Sequence, residues 1–136
     1  MGTLFLPPGP GPHPTIISLE GSVVIKEDLG AALASTGLAV LCLAFFRQPG
    51  LPQHYAEGIS VEYLERGADW LQRQSWVGPG GLGVLGCSKG CDLALSMAAF
   101  LPLSKVRAVV AVNGCITSVV GPTFYRGKTI AAHGLR

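Results

Sequence analysis

Gly86-Cys87-Ser88-Lys89-Gly90 has the form G-x-S-x-G and stands between the apolar run Leu82 to Leu85 and the apolar, helix-spaced run from about Lys89 to Leu101. Serine on a sharp strand-to-helix turn is the arrangement that acyl transfer through an oxygen nucleophile requires. The residues two before and two after the serine must be small so that strand and helix can approach. Gly86 and Gly90 meet that need. The turn lifts the Ser88 hydroxyl to the helix amino end, where backbone N–H groups and the helix dipole favour developing negative charge. Ser88 is therefore the candidate nucleophile and the Lys89 N–H one candidate oxyanion donor. The plain alternative is a Gly-rich turn carrying a surface serine.

An oxygen nucleophile also needs a base, usually His held by a carboxylate, in the chain order Ser, Asp or Glu, His. No Asp or Glu follows Asp92, and the histidines are His13, His54 and His133. All three read as exposed loop residues, and none is assigned to a triad. Asp92, four positions after Ser88, reads as a helix-start charge, and Cys87 as a packed residue at the strand end. Cys42, Cys87, Cys91 and Cys115 lie in apolar segments, which favours buried free thiols over a disulfide framework. Cys87 and Cys91 form one C-x-x-x-C pair with no second pair and no nearby His, so no metal is assigned. Gly81 to Gly86 matches G-x-G-x-x-G, but its second half is itself the strand, and Ser88-Lys89-Gly90 is not the order of a Walker loop. Nucleotide binding is set aside, and no cofactor is expected.

The elements that must position Ser88 alternate. Thr3 to Leu6 and Thr15 to Leu19 are strands joined by a Pro/Gly turn, which predicts a hairpin. Helical spacing over Lys26 to Thr36 precedes Leu38 to Phe46, apolar enough for a strand buried on both faces. An amphipathic helix spans about Ile59 to Ser75, with Ile59, Tyr63, Ala68, Trp70 and Leu71 on its apolar face. Leu82 to Leu85, Lys89 to Leu101 and Val106 to Val112 read as strand, helix, strand, and no element is expected from Thr117 onward. This alternation predicts a doubly wound, mostly parallel α/β sheet in one domain over residues 1–136, with function at the strand ends Gly21, Gly86 and Asn113.

Apolar residues make up 49% of the 136-residue chain and charged residues 13%, so an isolated fold is short of polar surface. The net charge of +2 is scattered, without the Lys/Arg run that grips phosphate backbones, and nucleic acid is not expected as a partner. Leu38 to Phe46, the longest apolar stretch, is about half of a membrane span, and the first residues lack the basic start of a signal peptide. The expectation is a soluble intracellular protein, in the cytoplasm first, with peroxisome or mitochondrion as alternatives.

Gly2-Thr3-Leu4-Phe5-Leu6-Pro7-Pro8, Gly83 to Gly90, Leu93-Ala94-Leu95-Ser96-Met97-Ala98 and Val112-Asn113-Gly114 together resemble the carboxyl-terminal α/β-hydrolase domain of type I acyl-CoA thioesterases and bile acid-CoA:amino acid N-acyltransferase. The resemblance implies acyl-CoA as the substrate partner. It also implies that a serine at the elbow marks the thioesterases, whereas a cysteine marks the branch that passes the acyl group to glycine or taurine. Ser88 falls on the hydrolase side. The second oxyanion donor is implied in a Gly-rich stretch after the second strand, where this chain has Glu20-Gly21-Ser22, so Gly21 or Ser22 is the candidate. The resemblance further implies an amino-terminal β-sandwich and a downstream stretch bearing the Asp and His. The chain carries neither, and His133 does not fall at the implied histidine, so the expectation is an α/β-hydrolase fragment truncated before its last strands. The alternatives are a non-catalytic module, or an N-acyltransferase working through Cys87.

Overall fold

The computed structural model describes residues 1–21, 25–114 and 121–130. Five strands form the main sheet: β1 (Gly2–Phe5), β2 (Thr15–Leu19), β3 (Ala39–Leu43), β5 (Leu82–Cys87) and β6 (Val106–Val112), in the order β1-β3-β2-β5-β6. All neighbouring pairs are parallel except β1 with β3. Among the described residues three helices flank it, α1 (Glu27–Ala34), α2 (Val61–Gln72) and α3 (Lys89–Phe100).

Side-chain alternation divides the core. Ile17, Leu19, Leu41, Leu43, Leu82 and Val84 pack with Leu64, Ala68, Leu71, Leu93, Ala94 and Met97 of α2 and α3 on one face. Val40 and Cys42 pack on the other with Ala34 and Leu33 of α1. Because successive strand residues point to opposite faces, strands apolar on both sides are what a sheet covered by helices on both faces requires. Residues 39–46 illustrate it, since every one of them is buried.

The first two strands do not form the expected hairpin. β1 runs antiparallel to β3, with Thr3 opposite Cys42, and β3 lies between β1 and β2. β2 is buried along most of its length and takes the centre, whereas the partly exposed β1 takes an edge. The Pro/Gly segment between them crosses the sheet end, tied there by the His13 N–H donating to the Trp76 carbonyl at 2.7 Å.

In α2 the buried stripe is Val61, Leu64, Ala68 and Leu71, the 3-4-3 spacing of one helical face. Trp70, expected on that face, is 41% exposed. Ile59 precedes the helix in the two-residue strand β4 (Ile59–Ser60), and the half-buried Tyr63 donates its hydroxyl to the Ala44 carbonyl at 2.6 Å. The chain after Thr117 also departs from expectation. β7 (Thr123–Tyr125) and β8 (Lys128–Ile130) form an antiparallel hairpin, and β7 pairs with β4 in a second, three-stranded sheet. The turn residues Arg126 and Gly127 both take positive φ, 50° and 72°, the twist that a two-residue hairpin favours. Among the described residues no helix is long and apolar enough to cross a membrane.

Candidate functional site

β5 lies between β2 and β6 and is parallel to both, so its carboxyl end opens beside Leu19 of β2 and Val112 of β6. Ser88 occupies the turn there, with φ 53° and ψ −120°, and α3 begins at the next residue. A non-glycine residue in this region costs about 1–3 kcal/mol and persists only where its surroundings hold it. Two backbone bonds hold it here: the Ser88 N–H donates to the Val112 carbonyl at 3.1 Å, and the Cys91 N–H donates to the Ser88 carbonyl at 2.9 Å. Ser88 is exposed, and among the described residues its hydroxyl has no hydrogen-bond partner.

Close approach explains the flanking glycines. A methyl on Gly86 would overlap the Gly90 carbonyl oxygen, and one on Gly90 would overlap the Leu19 carbonyl oxygen. Both steric demands that the pentapeptide implied are thus present. Gly21 comes from the end of β2 and meets the same turn. A methyl there would overlap the Lys89 amide nitrogen and stand 2.8 Å from Ser88 Cβ. Gly21, Ser88 and Lys89 are therefore brought together, although only the last two are close in sequence. Ser22 lies outside the described residues, and Asn113, at the end of β6, is exposed with φ 52°.

Beneath the turn, the buried Cys91 thiol sits 3.1 Å from the Gly86 carbonyl and 3.0 Å from the Val112 carbonyl. Burial raises its pKa, keeping it a protonated donor rather than a thiolate. Cys87 is half-buried at the strand end. Among the described residues no three His, Cys, Asp or Glu side chains group as metal ligands.

Asp92 does more than place a charge at the helix start. It is buried with Lys89, whose ammonium lies 3.3 Å from its carboxylate. Burial lowers the Lys89 pKa, and the Asp92 charge opposes that shift. The signal for this pair, Lys and Asp three apart in an otherwise apolar helix, is in the sequence. His13 lies near the start of β2, at the opposite end of the sheet from Ser88, bridged to Val77. His54 is exposed and caps the 3-10 turn Tyr55–Glu57, its Nδ1 accepting from the Ala56 N–H at 3.2 Å. His133 and Cys115 lie outside the described residues.

The fold and the sequence have counterparts among known proteins. An α/β hydrolase, GrgF from Penicillium sp. sh18, superposes with a TM-score of 0.68 at 21% identity over 83% of this chain and 40% of its own, a likeness of fold. Acyl-coenzyme A thioesterase 6 of Mus musculus is 41% identical over 91% of this chain and 29% of its own length. Acyl-coenzyme A amino acid N-acyltransferase 1 of the same organism is 40% identical over 95% of this chain and 30% of its own. The chain thus spans less than a third of the length of these curated relatives. Residues 59–135, more than half of the chain and including the whole serine turn, match the family described as BAAT / Acyl-CoA thioester hydrolase C terminal, and to that family the chain belongs.

Proposed function

We propose that this chain carries the nucleophile of an acyl-CoA thioester hydrolase. The observation that carries the reading is the strained Ser88 turn at the amino end of α3, with Gly21, two residues past the end of β2, packed against it. Ser88 Oγ attacks the thioester carbonyl, and the tetrahedral oxyanion is met by the Lys89 N–H and by a backbone N–H near Gly21. Collapse breaks the C–S bond, CoA leaves as the thiol, and water hydrolyses the acyl-serine to the free acid. The serine proton must pass to a base, and the described residues bring none to the hydroxyl. We therefore expect the 136-residue chain alone to hydrolyse acyl-CoA very slowly, since loss of triad members typically costs about three to six powers of ten.

The relative named as an amino acid N-acyltransferase supplies the second reading, acyl transfer through the Cys87 thiol. One experiment separates the two. A serine-directed fluorophosphonate and a thiol alkylator are applied to the purified chain, and the labelled peptides are sequenced. Slow fluorophosphonate labelling of Ser88 at high probe concentration over hours, abolished in Ser88→Ala, is the expected result. Fast alkylation of Cys87 with Ser88 unlabelled would overturn the serine reading in favour of the thiol.

A further inference from the structure

We propose that the Lys89 side chain is a positioning device: with Asp92 it ties the serine turn to Gly121, at the entry to β7, and so fixes the Lys89 peptide N–H. The Lys89 ammonium is buried, lies 3.3 Å from Asp92 Oδ2, and donates to the Gly121 carbonyl at 3.3 Å. Gly121 is itself seated firmly, since a methyl on it would stand 2.5 Å from Ala56 Cα. Two residues on, Thr123 is fully buried and pairs with Ile59 of β4. One cation thus links the first turn of α3 to the second sheet.

Burying an ion pair is a poor route to stability, because desolvation offsets the attraction, and apolar residues of similar volume are often as good. A buried Lys-Asp pair at the first helical residue after the nucleophile calls for another explanation. Lys89 has its backbone N–H at the serine turn and its side chain tied, among the described residues, to Asp92 and Gly121, so its peptide plane has little freedom to rotate. This is the preorganisation that a donor needs if it is to stabilise charge without reorganising during reaction. The inference rests on the proposed function for the reaction that is being positioned; the tie to Gly121 does not depend on it.

The double variant Lys89→Met with Asp92→Leu removes both members of the pair at once, so neither is left facing the other's lost charge, and its thermal midpoint should stay near that of the parent. Amide hydrogen exchange in Gly121–Tyr125 should quicken about tenfold as the tie is lost. Fluorophosphonate labelling of Ser88 should slow by about tenfold or more, as misplacement of a reacting group does. Lys89→Arg, which keeps the cation, should restore most of both. Parent-like exchange in the double variant overturns the tie, and faster exchange with labelling at the parent rate overturns its role in positioning. A parent chain that takes no label on Ser88 instead refutes the serine reading, while the exchange comparison still decides the tie.

Discussion

At position 90 a methyl group would meet the Leu19 carbonyl oxygen, which is backbone and has no rotamer to escape into. Ala is the better helix former by about 1 kcal/mol, so propensity alone says that Gly90→Ala stabilises α3. Contact with β2 reverses the sign. We expect Gly90→Ala to lower stability by about 1–3 kcal/mol, read as a shift of the urea midpoint at unchanged slope. A neutral or stabilised variant would show that the helix can lift from β2, and that the fit of the turn is not set by this glycine. Ser88, Gly86 and Gly90 are legible in the sequence for the same reason: a strand-to-helix turn demands small residues at fixed offsets. The seating of Gly21 against Lys89 is not legible, because it depends on the register that sets Leu19 beside Gly86. The Lys89–Asp92 pair has a visible spacing, but spacing does not reveal that the pair is buried.

Strand β6 carries Val106, Ala108, Val109, Val110, Ala111 and Val112 with one charge, Arg107. It is the outermost strand of its sheet among those described, and Val110 and Val112 are 58% and 46% exposed. An apolar edge strand offers unpaired backbone groups and a greasy surface together, the combination that promotes edge-to-edge association. Val110→Lys should therefore reduce self-association of the purified chain, measured by light scattering as concentration rises, while changing stability by no more than about 0.5 kcal/mol. Equal association of parent and variant would remove β6 from that role. The strands and helices around Ser88 are legible because their apolar runs are long and their periods distinct. Pairing is not, and β1 shows why: a Pro/Gly turn between two strands looks the same whether the strands meet or a third lies between them. The β7–β8 hairpin is missed because its strands have three residues each, too few for alternation to register, so only the Arg126-Gly127 turn marks it.

Across the whole molecule the sheet separates a large core under α2 and α3 from a small one under α1, and Cys42 sits in the small one. Its thiol is 2% exposed and directed to the Lys26 carbonyl at 3.7 Å. Burial first, then the nearby carboxylates of Glu20, Glu27 and Asp28, push its pKa from 9.0 up to about 11. The folded chain therefore holds the thiol proton at pH values where the unfolded chain has lost it. Stability from this group is complete below the unfolded value and drains away as pH rises toward the folded one. Cys91, Tyr63 and Lys105 are also shifted upward, the last by its ion pairs with Asp69 and Glu65, whereas Lys89 is shifted downward and acts in the opposite sense. A comparison with Cys42→Ala isolates the thiol, because the other groups titrate alike in both chains. The variant loses packing and should melt lower than the parent at neutral pH, by about 1–2 kcal/mol of stability. Melting midpoints across about pH 8 to 11 should then converge, because only the parent has the Cys42 thiol to ionise, while Cys91 titrates alike in both. A constant gap over that range would mean that the folded chain does not resist ionisation of Cys42, and that the alkaline loss of stability belongs to Cys91, Tyr63 and Lys105.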